Sequence, residues 1–161
     1  MADQYRYSFD EVTNSYNFTT KNNICYKVAF IIDETLDSVS EESIENVYQI
    51  VIEKVTDIID SFDGSVSKTI ETIIAAFFET VRNCLIYICS DEGEKAKVRF
   101  NVFDRWYRNS TFVESVIKID NIINCESSLI YTSLLYHNSN ENIEKVLTAY
   151  KNIEDYLNKE N

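Results

Sequence analysis

The stretch from Val66 to Tyr107 constrains this chain most, because it reads as helix, buried strand, turn and second helix with no proline to break the run. Ile70, Ile73, Ile74, Phe77, Phe78 and Val81 recur at the i, i+3, i+4, i+7 spacing of a helix with one broad apolar face. Such a helix must lie on an apolar surface. Asp63, Gly64 and Ser65 just before it supply a turn and oxygens for the orphan N–H groups of its first turn. Cys84 to Cys89 is an almost unbroken apolar run, too short for a helix, and reads as an interior strand covered on both faces.

A second helix is expected from Glu94 to Arg108, where Ala96, Phe100, Val102, Phe103, Trp106 and Tyr107 form one arc. Arg99 falls inside that arc, between Phe103 and Trp106. Burying a guanidinium without a partner costs several kcal/mol, so Arg99 should meet a carboxylate, a carbonyl, an aromatic face or an anion. Two readings follow: an internal ion pair or stack on Trp106, or contact with a bound anion.

At 161 residues and 45% apolar character, the chain suits one domain spanning 1–161 with a sizeable core. Its 27 acids against 15 Lys and Arg give a net charge of −12, which opposes whole-surface binding to nucleic acid or anionic membrane. The charge is uneven. Asp33 to Asp63 holds ten acids and one base, Lys54, whereas Lys95 to Arg108 holds five bases and one acid, Asp104. Met1 to Asp10 has no apolar leader core, and no segment has the roughly 20 apolar residues that span a bilayer. A cytoplasmic protein with no membrane contact is expected. Cys25, Cys84, Cys89 and Cys125 show no metal-ligand spacing, so reduced thiols are expected, with Cys84 and Cys89 in the core. No metal or cofactor is implied.

Taken in order, Tyr5 to Phe9, Tyr16 to Phe18 and Ile24 to Ile32 alternate as strands of an antiparallel meander, with turns at Asp10 to Asn14 and Thr20 to Asn23. The third, apolar on both faces, should be central. Residues 33–45 read as an acidic surface loop. Asn46 to Val55 is β-branched and reads as a strand, although Ile44, Val47, Tyr48, Val51, Val55, Ile58, Ile59 and Phe62 also fit a helical period. Phe112 to Ile119 and Leu129 to Tyr136 follow as a hairpin. A helix from Glu141 to Leu157, capped by Ser139 or Asn140, closes the chain, and 158–161 should fray. The expected fold is α+β: a mostly antiparallel sheet of six or seven strands with three helices, in the order ββββ-α-β-α-ββ-α.

Ile86-Tyr87-Ile88-Cys89, then Asp91, Lys95-Ala96-Lys97-Val98-Arg99 and Phe103-Asp104-Arg105-Trp106-Tyr107, resembles the central block of an uncharacterised bacterial domain-of-unknown-function family. The resemblance implies a bacterial cytosolic setting and carries no activity, ligand or catalytic residue.

No catalytic signature or phosphate loop is present, which leans away from an enzyme. Titratable groups near the basic island are Asp91, Glu92, Glu94, Asp104 and Tyr107, with nothing tying them together. His137, after a strand, is a general base or a structural residue. Lys95, Arg99, Arg105, Trp106 and Arg108 mix bases with an aromatic, as phosphate and nucleic-acid sites do; alternatively they form a solvated face pairing with the acidic loop. Two functions are therefore weighed. One is a small acidic interaction factor, of inhibitor, immunity or antitoxin type, binding a basic protein partner. The other is a phosphate-directed enzyme or RNA-binding module using Arg99, Arg105, Arg108, Trp106 and His137. Eleven Tyr and nine Phe also suit a homodimer that buries surplus aromatics.

Overall fold

Two half-sheets meet at a single weak seam in the structure, a computed structural model that describes residues 3–58, 63–90, 95–125 and 128–155. The first half is an antiparallel meander, as its alternation required: β1 (Tyr7–Asp10), β2 (Ser15–Thr19), β3 (Cys25–Ile32) and β4 (Val47–Lys54). The second half places β7 (Ser128–His137) between β5 (Cys84–Ser90) and β6 (Val116–Cys125), again antiparallel. The whole sheet runs β1-β2-β3-β4-β5-β7-β6, and β4 and β5 are its parallel pair. The ambiguous segment is thus strand from Val47 to Lys54, shorter at each end than Asn46 to Val55, because β3 offers a seven-residue ladder from Tyr26↔Lys54 to Ile32↔Tyr48.

In a chain with two glycines and no proline, asparagine takes the left-handed turn positions: Asn14, Asn23 and Asn46 have φ of 52°, 63° and 64°. At the first turn, Asp10 Oδ1 accepts the Val12 N–H at 2.9 Å.

Three long helices pack on this sheet: α2 (Gly64–Phe78), α3 (Lys95–Arg108) and α4 (Ile143–Lys151). The Asp63 carboxylate caps α2 by accepting the Ser65 N–H at 2.9 Å, as the local sequence predicts. Its apolar stripe then divides between two groups. Ile73 meets Phe18 and Val28 of the meander, while Ile74, Phe77 and Phe78 meet Leu85 and Leu135. Phe77 stacks on Phe30 with centroids 4.2 Å apart. Ala96 and Phe100 of α3 pack on Tyr131 of the second half-sheet, on the same side as α2. The opposite face of that half carries α4, whose Val146, Ala149 and Tyr150 meet Cys84, Ile86 and Leu134.

Several expectations need correction. The segment 33–45 contains a short helix, α1 (Thr35–Val39), whose Leu36 is fully buried against the α4 face. One leucine among acids has no visible period, so only packing exposes its role. Phe112 lies in a turn, and β6 begins at Val116 and runs to Cys125, longer than Phe112 to Ile119 implied. α4 is preceded by Asn142 rather than Ser139 or Asn140, although Asn140 Oδ1 accepts the Asn142 N–H at 3.0 Å. Val81 lies past the end of α2, and Val102 faces solvent. Cys84 is buried, and that burial pushes its thiol up to about 12, but Cys89 is only half-buried. Cys25, Cys84 and Cys89 are free thiols. Leu157 and residues 158–161 lie outside the described residues. No described helix is long and apolar enough to cross a membrane.

Leu36 supplies a direct check on α1. Leu36→Ala should cost roughly 2–5 kcal/mol in urea unfolding, the range for a buried leucine, whereas a leucine in a surface loop would lose under about 0.5 kcal/mol.

A candidate ligand cleft between the half-sheets

β4 and β5 pair only at Val47↔Cys84 and Tyr48↔Leu85. Each is held along its outer edge for its whole length, β4 by β3 and β5 by β7, where the ladder reaches Ser90↔Ile130. The twist of two separately anchored half-sheets therefore pulls their inner edges apart beyond the second pair. Past Tyr48 and Leu85, the facing edges present backbone N–H and C=O groups that neither strand takes from the other.

Above this opening lies a cavity of about 770 Å³, within the roughly 300–1,000 Å³ typical of small-molecule sites. α2, which spans both half-sheets, and α3, which packs on the second, form its two walls. Ile70 and Ile74 line the α2 side, and Phe103 and Trp106 the α3 side. Tyr87 of β5 stacks on Phe103, centroids 5.4 Å apart, and Phe103 stacks on Trp106 at 5.9 Å, so one wall is a continuous aromatic surface. Leu85 and Leu135 close the narrow end, while Ile50 and Ile52 of β4 form the floor. Ile52 remains 47% exposed.

Polar groups gather at the open end. Lys54 ends β4, Asp63 caps α2, and Arg99 stands one helical turn before Phe103. The Asp63 carboxylate accepts hydrogen bonds from the Tyr5 hydroxyl and the Ser65 N–H; the Tyr5 bond, outweighing burial, holds it below the ordinary carboxylate value. Burial, then the hydrogen bond and charge of Cys89, push the Tyr87 hydroxyl well above its usual range, with Arg99 pulling the other way. Tyr87 is thus a neutral phenol at neutral pH.

Arg99 departs from its sequence expectation. It is exposed at the cleft mouth rather than buried within the arc, and among the described residues no carboxylate lies within ion-pair distance of it. Trp106 joins it in the cleft. The other predicted site residues do not converge there. Arg105 is exposed and outside the lining, Arg108 pairs with Asp104, and His137 ends β7, where its Nδ1 accepts the Ser139 N–H at 3.0 Å. Asp91, Glu92 and Glu94 lie outside the described residues. Among the described residues, no ion pair joins the acidic segment to the basic helix.

Sequence reasoning missed Lys118, which fixes the α3 wall. Its side chain is 2% exposed, its Nζ lies 2.9 Å from Asp104 Oδ1 and 2.5 Å from Asp120 Oδ1, and it sits over the Phe100 ring at 5.1 Å. Asp120 also accepts from the Ser133 hydroxyl at 2.7 Å. Strand alternation carried the signal, since Lys118 shares a face with the buried Val116. Among the described residues, no cluster of His, Cys, Asp and Glu is arranged to hold a metal ion.

A family model described as a family of unknown function, DUF6169, matches residues 62–152, which include α2, β5, α3, β6, β7 and α4. The chain belongs to the DUF6169 family. The family match thus includes both helical walls and the β5 side of the cleft, while β4 lies before it. No curated protein matches this DUF6169 sequence. A solved structure of a CoA-dependent acyl-homoserine lactone synthase, MesI, is similar at 9% identity over 89% of this chain and 72% of that one, with a TM-score of 0.39. A likeness that distant carries no argument about function.

Lys118→Met tests how the wall is held. Burial alone would raise the Asp104 carboxyl, but the Lys118 hydrogen bond and charge, with Arg108, outweigh it and lower the carboxyl below 3.8. A lowered carboxyl stabilises the fold above its unfolded value, and that contribution is lost as pH falls through the folded value. Removing one partner of the buried pair by Lys118→Met should cost about 3–5 kcal/mol at neutral pH and shift acid unfolding to higher pH, read by urea titrations across the acid range.

Proposed function

We propose that this chain binds an elongated small molecule in the cleft between β4 and β5, and that the ligand carries amide-like groups along an otherwise apolar body. The observation behind this reading is the splay of the parallel pair after two residues. Edges that two strands do not take from each other need hydrogen-bonding partners wherever water is displaced, and an extended ligand with alternating donors and acceptors supplies them as an added strand would. The aromatic wall of Tyr87, Phe103 and Trp106 and the aliphatic side chains of Ile70 and Ile74 suit its apolar parts. Because Arg105, Arg108 and His137 do not join Arg99 in the cleft, this reading favours a pocket ligand over RNA laid along the helix.

Trp106 is the only tryptophan in the sequence, so its emission reports directly on the cleft. Titration with N-octanoylglycinamide, extended and uncharged, should shift that emission saturably. Ser67→Phe, which places a ring in the cavity from a half-buried helix position, should weaken binding about tenfold or more while far-UV circular dichroism stays unchanged. An emission that does not respond, or a Ser67→Phe variant that binds as well as the parent, sinks the reading.

A different surface favours a second reading, the acidic interaction factor. Glu41, Glu42 and Glu144 line one groove between α1 and α4, and the ammonium of the adjacent Lys145 is bonded to the Ser43 carbonyl. A basic protein partner fits such a surface. Binding to that partner should weaken steeply from low to physiological salt and fall about tenfold or more in a Glu41→Lys, Glu42→Lys double variant, read by pull-down and calorimetry. Partner binding that ignores both salt and the variant counts against it.

A further inference from the structure

The open end of the cleft carries a charge imbalance that runs against the rest of the chain. In a protein of net charge −12, the described charged residues lining the cavity are two cations, Lys54 and Arg99, and one carboxylate, Asp63. That carboxylate is already engaged by the Tyr5 hydroxyl and the Ser65 N–H. Neither cation is neutralised by it: Lys54 donates to the Ile58 carbonyl, and no described carboxylate pairs with Arg99. They approach the cavity from opposite sides, Lys54 from the end of β4 and Arg99 from the first half of α3.

The start of α2 would ordinarily compete for an anion, since helix N-termini offer free N–H groups. Here Asp63 fills that role itself. Its side chain takes the Ser65 N–H, its carbonyl takes the Val66 N–H at 3.1 Å, and its own negative charge repels a second anion. An anionic group entering the cleft is thereby directed toward Lys54 and Arg99.

From this geometry we infer that the ligand's polar end is an anionic head held at the open end between Arg99 and Lys54, with its apolar tail running past Phe103 toward Trp106. Arg99 supplies a planar fork suited to two oxygens of one acid group, and Lys54 a compact charge from the facing side. This assignment rests on the cleft reading and adds the charge class of the ligand.

A matched pair of probes separates the two. N-octanoylglycine and N-octanoylglycinamide differ only in the terminal carboxylate, and both are read by Trp106 emission and calorimetry on the full chain. The acid should bind about tenfold or more tighter than the amide at low salt, and the gap should narrow as salt is raised. Arg99→Gln and Lys54→Gln, both at exposed positions, should each shrink the gap between acid and amide. Equal binding of acid and amide overturns the anion assignment and leaves the cleft reading intact. Binding of neither probe overturns both.

Discussion

The seam between β4 and β5 is the constraint on which the rest of the molecule depends. Hydrogen bonding along the outer edges of both strands is continuous, so each half-sheet is a stable unit with its own twist. The two units share two residue pairs and then diverge. Such a gap would ordinarily be costly, because beside apolar side chains it leaves backbone groups that neither strand takes from the other. It persists because α2 lies across both half-sheets and shares one apolar cluster with Phe103, Trp106 and Tyr107 of α3, so the two units are joined above the gap. The cavity lies between α2 and α3, where the two strands part.

Rigidity on the α3 side comes from an unusual source for a sheet core. Lys118 is buried among two carboxylates and two aromatic rings, joining the start of β6 to the second half of α3. Such a network is a weak source of stability compared with an apolar replacement, but it is directional, and a greasy contact is not. Its geometry fixes the rotation of α3 about its axis, and that rotation turns Phe103 and Trp106 toward the cleft. On the α2 side the same job falls to apolar packing and to Glu71, whose carboxylate accepts the Thr111 N–H at 2.7 Å across to the segment leading into β6.

How legible was this in the residues? Periodicity identified α2, β5, α3, the meander and the last helix because each buries one consistent face, and such faces leave a repeating trace. Residues 46–55 fitted both a strand and a helix, and the competition was decided by the free edge of β3. α1 left no trace, since a single buried leucine has no period. Lys118 and Arg99 show the same difficulty from opposite sides. Arg99 falls inside an apolar arc and turns out exposed, because the arc is wide and its margin borders a gap. Lys118 looks like an ordinary strand lysine and is buried, because α3 lies across it.

The sequence by itself determined the α+β class, the order of the long elements, the capped start of α2, the reach of apolar surface each element must cover, and the clustering of base on α3 against acid elsewhere. Those properties are local, set by spacing and by the chemistry of near neighbours. Only the tertiary structure decided that β4 and β5 run parallel and part after two residues, that Arg99 and Lys54 face one cavity from opposite sides, and that Arg108 and His137 do not join them. Those facts depend on pairings between residues far apart in the chain, where twist and competing partners choose among arrangements that local pattern leaves equal.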